Sequence, residues 1–375
     1  MSIMPGAMLG LLGGGQLGRM FAMAAQSMGY RVTVLDPASD SPAGSLADRH
    51  LRADYLDSDA LRELSSTCAG VTTEFENVPA ESLRILAEHC VVSPPAGSVA
   101  IAQDRILEKQ FLAANGFAVT PFAVVQDSSE GLPQTHPELF PGILKVSRLG
   151  YDGKGQARIS NAAELDAAFA GMKREPCVLE QLLPLDNEVS VVVARGYDGE
   201  VAAFPAAENR HRHGILDVSI IPARVSPEIV QNAREIAVRI AGKLDYHGVL
   251  CVEFFVLADG RLLVNEIAPR PHNSGHYTLD ACVTSQFEQQ VRVLCGLPLG
   301  TTAMQGAAVM VNLLGDLWWR GEPKWEEVLR HPAVKLHLYG KRAARPGRKM
   351  GHYTVLAETT EAALRLALEI KQSLV

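Results

Sequence analysis

The chain has 375 residues, 47% of them hydrophobic and 21% charged, and carries a net charge of −7. That length suits two or three domains around a large core, and the composition is that of an ordinary globular protein. The acidic balance excludes duplex nucleic acid as an expected partner, although GKRAARPGRKMGH at 340–352 forms one local basic cluster.

The first hundred residues alternate strand and helix. AMLGLL reads as a short strand, GGGQLG as a turn, and Leu17 to Met28 as a helix ending at Gly29. RVTVLD, GVTTEF and CVVSP continue the strand series. Strands separated by helices predict a parallel sheet of βαβ units. SPPAGS at 93–98 marks a boundary, and the first domain is expected over 1–104. Gly13, Gly15 and Gly18 fit G-x-G-x-x-G, and Asp36 ends the next strand where a ribose-binding acid would stand. Read alone, the motif admits a nicotinamide-dependent oxidoreductase, any phosphorylated ligand at a helix N-terminus, or a plain tight turn.

Asp104 caps a helix running to about Asn115, with Gly116 past its end. PGILKVS is a strand, RLGYDGKGQ a glycine-rich loop, ARIS a returning strand and NAAELDAAFAGMKR an amphipathic helix. This β-loop-β-helix unit defines a small second domain over 105–179. Lys145 is placed as a fixed charge for phosphate. Gly150, Gly153 and Gly155 let backbone amides wrap an anion. Lys154 adds a second cation or is simply solvated. The loop lacks G-K-[ST], so it is not a Walker loop; a mobile hairpin tip is the bland alternative.

From CVLEQLL onward the pattern turns antiparallel, which sets a third domain over 180–375. EVSVVVARGYDGEVAAFPA is a hairpin turning at Asp198-Gly199. Ser226 caps a long helix opened by Pro227. VLCVEFFVLADGRLLVNEIAPR is a second hairpin, and strands near 306–314, 334–339 and 352–357 precede a last helix. If Asp259-Gly260 forms a two-residue turn, Glu253 lies directly opposite Glu266, with Cβ atoms roughly 5 Å apart. Two carboxylates at that range require a shared proton or a cation between them. Open positions suit Mg²⁺, which completes its shell with water and phosphate. A solvated sheet face is the alternative, but CVEFFV and LLVNEI are too apolar for it. In an ideal strand Asn265 points to the opposite face, so a ligand contact there demands an irregular strand. Lys145, the glycine loop and the acid pair describe a nucleoside-triphosphate site of a non-Walker kind.

The cysteines, Cys68, Cys90, Cys177, Cys251, Cys282 and Cys295, are scattered and form no C-x-x-C pair. Buried thiols in a reducing compartment are expected, without zinc or disulfides. No apolar run of ~18 residues and no leader-like N-terminus is seen, so a soluble, cytoplasmic protein without a membrane partner is expected.

With these pieces in order, the chain resembles the ATP-grasp superfamily and, within it, the N5-carboxyaminoimidazole ribonucleotide synthetases of purine biosynthesis. The resemblance spans nearly the whole length. It rests on GGGQLGRM, TTEFENV, QDR, LKVSRLGYDGKGQ, LEQLL, ENRHRHGIL, NEIAPRPHNSGHYT and GKRAARPGRKMGH. It implies an ATP-grasp fold of mixed α/β and α+β class. A Rossmann-like parallel-sheet domain comes first, then a β-loop-β lid, then an antiparallel C-terminal domain. It also implies an ATP-dependent C–N ligase that carboxylates 5-aminoimidazole ribonucleotide with bicarbonate by way of carboxyphosphate, usually as a homodimer.

By this resemblance Arg105, Lys145, Gly150, Tyr151, Asp152, Gly153, Lys154, Gly155 and Gln156 bind the ATP phosphates. Glu180, Gln181, Leu182 and Leu183 lie along the adenine, Glu188 near the ribose, and His211 and Asn265 close to the nucleotide. Glu253 and Glu266 hold magnesium. Arg270, His272 and Asn273 are expected to position bicarbonate and carboxyphosphate, with Tyr151 and Asp152 facing the amine. Lys341, Arg348 and the helper Lys349 are expected at the ribonucleotide phosphate. Gln16, Asp36 and Glu76 complete that pocket, so that the first glycine motif faces the ribonucleotide and not a dinucleotide. The competing reading of Arg270 is a salt bridge to a core acid, and His276 is expected as a satisfied loop histidine. A formate-using ligase on a related purine intermediate is the nearest alternative function. A nicotinamide-dependent dehydrogenase is the remote one, and it leaves Lys145, Glu253 and Glu266 unexplained.

Overall fold

The computed structural model describes residues 2–126, 136–150 and 155–374. The expected lid residues Tyr151, Asp152, Gly153 and Lys154 lie outside the described residues. The N-terminal strands β1 (Met8–Leu12), β2 (Arg31–Leu35), β3 (Arg49–Leu51), β4 (Gly70–Thr73) and β5 (Val91–Val92) pair in parallel, in the order β3-β2-β1-β4-β5. β1, β2 and β4 are buried along nearly their full lengths, as a sheet covered on both faces requires. The short polar strand Arg-His-Leu of β3 carries no apolar run and was not anticipated. Helix Gln16–Ser27 packs Phe21, Ala22 and Ala25 into a core shared with Val291 and Leu294. Those two belong to helix Gln286–Leu294, which also escaped the sequence reading and fastens this domain to the last one.

The second sheet is antiparallel. It orders β6 (Phe122–Val125), β9 (Cys177–Gln181), β7 (Gly142–Val146) and β8 (Gln156–Ile159) as β6-β9-β7-β8. β9 continues to Gln181, past the expected boundary at 179, because Gln181 still pairs with Gly142. Helix Ala162–Gly171 closes this small core with Leu165 and Phe169. The helix Arg105–Ala114 begins as expected, with the Asp104 carboxylate accepting from the Ile106 and Leu107 amides.

The third sheet is antiparallel throughout. It contains β10 (Leu185–Arg195), β11 (Val201–Ala203), β12 (Ala207–Arg212), β13 (Ile215–Ile221), β14 (Gly248–Leu257), β15 (Leu262–Ala268), β16 (Ala307–Leu314), β17 (Val334–Leu338) and β18 (Lys349–Ala357). The main path runs β15-β14-β10-β12-β13-β16-β18-β17. Helix Pro227–Lys243 covers β10 and β14 with Ala233, Ala237 and Ile240, and helix Thr360–Ser373 covers β16 and β18. The β12–β13 hairpin was not anticipated. Its turn is His213-Gly214, with φ of +53° and +77°, in the left-handed region a tight hairpin demands. His-Gly is a weaker signal than Asn-Gly or Asp-Gly.

Three imidazoles stack beneath β17 and β18. His276 lies 4.9 Å from His352 by ring centroids, and His352 lies 4.5 Å from His337, nearly parallel at 14°. His276 and His352 are fully buried. His276, expected as a satisfied loop histidine, is satisfied at one nitrogen only. Its Nδ1 approaches Gln286 at 3.3 Å, but its Nε2 has no hydrogen-bond partner. Burial holds both imidazoles below the ordinary pKa of 6.5, reinforced at His276 by His352 and at His352 by His337. The unfolded chain therefore takes up these protons first as pH falls. Stability is complete above 6.5 and declines below it, with a slope approaching about 1.4 kcal/mol per pH unit for each histidine. Calorimetric unfolding between about pH 7.5 and about pH 5.5 measures this decline, and His352→Phe is expected to flatten it. A His352→Phe profile that runs parallel to the wild-type one across that range contradicts the assignment.

Candidate functional site

One cleft of about 970 Å³ draws its walls from all three domains. The first domain contributes Gln16 and Glu76, and the second contributes Lys145, Gly150 and Gln156. Arg105 enters from the first residue of its helix. The third domain supplies Glu188, His211, Glu253, Asn265, Glu266, Arg270, His272 and Asn273, together with Lys341, Arg348 and Lys349.

Glu253 does face Glu266 across β14 and β15. The route differs from the expected one. Leu257 pairs with Arg261 around a three-residue loop, with Gly260 at φ +83°, so the ladder near the turn is one residue out from the anticipated count. Between Glu253 and Phe254 the register shifts: Phe254 pairs with Val264, and Asn265 becomes the extra residue of a β-bulge. The bulge cancels the miscount. It also supplies the irregularity that lets Asn265 reach the cleft.

The pair is neutralised by two protein cations and not by one shared ion. Arg105 Nη1 donates to Glu266 Oε2 at 3.0 Å, and His272 Nε2 lies 3.0 Å from Glu253 Oε1. Burial would raise the Glu253 carboxyl, but His272 outweighs it and holds the group well below its ordinary range. Burial likewise opposes charge on His272, and Cys251 and Glu253 lift it above its ordinary range. Carboxylate repulsion alone therefore does not call for a metal. The donor chemistry fits one nonetheless. Asn265 Oδ1 is buried beside the pair with no hydrogen-bond partner, so two carboxylates and a free amide oxygen form a set of hard oxygen donors that suits Mg²⁺.

Lys145 projects from β7 onto Glu180, Nζ to Oε2 at 3.0 Å. Lys109, a fully buried lysine that the sequence reading missed, lies 3.5 Å from the same oxygen. Burial raises the Glu180 carboxyl, but Lys109 and then Lys145 override it and lower it. Glu180, Gln181, Leu182 and Leu183 do not line the cleft. Glu180 and Gln181 are held in the β9 ladder, and the Leu182 amide donates to Pro141 O at 2.8 Å. Gly155 also lies off the wall; its carbonyl accepts from the Val146 amide at 2.9 Å. Glu108 was missed too. Its carboxyl accepts from the Ile267 amide at 2.5 Å, and burial followed by the Glu266 charge pushes it up to about 8.

At the far end Arg270 pairs with Glu76, the core-acid arrangement held open as its alternative role. Burial disfavours the Glu76 charge, but the guanidinium outweighs it and holds the carboxyl at about 2. Asn273 exchanges hydrogen bonds with Asn312 at 3.1 and 2.7 Å. His211 Nδ1 lies 3.1 Å from Glu188 on the facing strand. Lys341 Nζ donates to Lys349 O at 2.7 Å, and Arg348 Nη1 donates to Ala343 O at 2.7 Å.

The first glycine turn is closed from within. The Gly14 amide donates to Asp36 Oδ2 at 2.7 Å, and the Gly15 and Gly18 amides donate to Glu74 at 2.5 and 2.8 Å. Asp36 also accepts from Ala38 and Tyr55. It is absent from the cleft wall, a correction to its expected place in the ribonucleotide pocket. The Gly14, Gly15 and Gly18 amides are thus taken by the chain's own carboxylates, whereas Gln16 and Leu17 of the same turn line the cleft.

Residues 7–103 match the ribonucleotide synthetase preATP-grasp domain, residues 110–287 the ATP-grasp domain, and residues 308–366 the phosphoribosylaminoimidazole carboxylase C-terminal domain. The chain is similar to the N5-carboxyaminoimidazole ribonucleotide synthase of Bacillus subtilis, 46% identical over 357 residues that cover 95% of this chain and 93% of that one. It is also similar to the Brucella melitensis synthase, 46% identical over 361 residues covering 96% and 99% of the two chains. A solved ADP complex of an N5-carboxyaminoimidazole ribonucleotide synthetase superposes with a TM-score of 0.92 at 42% identity, over 99% of this chain and 97% of that one. An Aspergillus clavatus synthase in complex with ADP and 5-aminoimidazole ribonucleotide superposes with a TM-score of 0.89 at 31% identity, over 98% of both chains. Fold, cleft and matches together define an ATP-grasp enzyme. The chain belongs to the N5-carboxyaminoimidazole ribonucleotide synthase family.

Proposed function

We propose that this chain carboxylates 5-aminoimidazole ribonucleotide with bicarbonate at the expense of ATP, in purine biosynthesis. The observation that carries this reading is one cleft in which a cationic nucleotide end, an oxygen-donor set and a second cationic loop meet. A bicarbonate oxygen attacks the γ-phosphorus, the bond to ADP breaks, and carboxyphosphate forms. The amine nitrogen then bonds the carboxyl carbon, phosphate leaves, and the amine gives up a proton. Such phosphoryl transfer needs positioning and charge neutralisation more than acid–base chemistry.

Arg105 and Lys145 serve the triphosphate, Glu188 and His211 the nucleoside. Arg270 serves bicarbonate and carboxyphosphate, oriented by Glu76 and assisted by His272 and Asn273. Lys341 and Arg348 serve the ribonucleotide phosphate, with Lys349 as helper and Gln16 at the pocket edge. Glu253, Glu266 and Asn265 would hold Mg²⁺, which when bound neutralises phosphate charge. The reading includes a homodimer and a cytoplasmic location, supported by the family resemblance; among the described residues no helix is long and apolar enough to cross a membrane.

Glu253→Gln and Glu266→Gln are each expected to raise the Mg²⁺ concentration for half-maximal ADP release by at least about tenfold. A variant with an unchanged magnesium requirement removes that residue from the donor set. Arg270→Ala should abolish bicarbonate-dependent ADP release while ATP still binds, read by calorimetric titration; near-normal turnover contradicts its role. Lys341→Ala and Arg348→Ala should raise the KM for the ribonucleotide far above any change in the KM for ATP, and so should added salt. Equal effects on both substrates argue against that placement.

A further inference from the structure

Resting on the reading that the loop from Lys341 to Lys349 takes the ribonucleotide phosphate, we propose that His352 is a positioning residue for that loop, acting through Tyr339. His352 stands on β18 with Nδ1 2.8 Å from the Tyr339 hydroxyl, and both side chains are buried. Tyr339 is the last residue before the loop, and its amide donates to Met350 O at 2.9 Å, which closes the loop at its base. Lys341 Nζ lies 5.6 Å from the centre of the Tyr339 ring. The phenol is thus both the root of the loop and the platform beneath its first lysine.

His352 is itself held on both faces. His276 packs on one side and His337 on the other, and Asp280 clamps His337 at 2.9 Å. His276 ends the turn that carries His272 and Asn273. Asn312, which exchanges hydrogen bonds with Asn273, lies opposite His352 in the β16–β18 ladder. The root of the phosphate loop and the root of the carboxylating turn therefore share one aromatic column. Ligand atoms of Asp280, His337 and His352 come within 4.8 Å of one another. A ring nitrogen binds a metal in the plane of its ring, and two rings stacked at 14° turn faces, not edges, toward each other. The column is consequently packing rather than an ion cage.

An imidazole that fixes a phenol fixes where Lys341 and Arg348 stand before substrate arrives. Loss of that hydrogen bond leaves a buried hydroxyl unpaired and lets the loop root shift. A ring kept at this position still packs on His276 and leaves the carboxylating turn in place, so the cost falls on binding of the ribonucleotide; neither ATP nor bicarbonate meets this loop in the proposed reading.

The test compares His352→Phe, His352→Asn, Tyr339→Phe and Lys341→Ala by steady-state kinetics. His352→Phe keeps the ring and removes Nδ1; it is expected to raise the KM for the ribonucleotide about tenfold. The KM for ATP and the bicarbonate-dependent ATP hydrolysis measured without ribonucleotide should stay at wild-type values. His352→Asn, whose amide can meet the phenol from the same side, should recover most of the loss. Tyr339→Phe should match His352→Phe, and the double variant should be no worse than either single one. Unchanged KM values in His352→Phe beside an impaired Lys341→Ala overturn this inference and leave the reading of the loop intact. A Lys341→Ala variant with a normal ribonucleotide KM overturns both. Lower stability with a uniform loss of kcat, and no selective rise in that KM, reduces His352 to a structural part and overturns the inference.

Discussion

Two carboxylates held opposite one another across β14 and β15 set the charge pattern of the whole cleft. At roughly 5 Å and an effective dielectric constant of about 20, their repulsion is about 3 kcal/mol. That exceeds the ~1 kcal/mol of an ordinary hydrogen bond, so the pair must recruit cations. It draws Arg105 from the start of one helix and His272 from the turn after β15. The two cations approach different members of the pair, and His272 holds Glu253 well below its ordinary range. Removing His272 would leave the buried Glu253 charge uncompensated, which is far costlier than never having buried it.

The same logic extends outward. Glu180 holds Lys145 and Lys109, and Glu76 holds Arg270. Arg105, Lys145 and Arg270 therefore stand in prepared positions against acids of the chain, while Lys341 and Arg348 rest on backbone carbonyls. Preorganised charges need little rearrangement when a ligand replaces the acid as partner, which is where positional catalysis gains over the same groups in water. The β-bulge at Asn265 belongs to this preparation. It brings to the cleft a residue that a regular ladder would have sent to the other face.

Much of this was legible in the sequence, and the failures have identifiable physical causes. Alternating strand and helix in the first hundred residues, the Asp104 and Ser226 caps, and the long antiparallel tail follow from local periodicity and capping chemistry. The opposition of Glu253 and Glu266 was reached by a count that missed both a three-residue loop and a bulge; the two errors cancelled, because each moves the register by one. The glycine turn misled because glycine permits close approach by any carboxylate, and Glu74 and Asp36 lie far from it in sequence. Lys109 and Glu108 were missed because a charged residue inside an amphipathic helix reads as solvated until the partner elements are placed. The β12–β13 hairpin was missed because β12 is charged and the turn into the apolar β13 is His-Gly.

The histidine column illustrates a further limit. His276, His337 and His352 are scattered over 77 positions, each unremarkable beside its neighbours. They meet only because β16, β17 and β18 pair in a register that sets His337 opposite His352 and Asn312 opposite His352 on the other side. One histidine thus joins two ladders, a phenol and a turn. Burying a polar ring costs free energy unless something compensates. At His352 the Tyr339 hydroxyl satisfies one nitrogen while the other has no partner. A leucine there would fill space without the partial penalty, but it could not hold the phenol. Stability alone therefore favours an apolar residue at this position, and the imidazole is explained by what it orients.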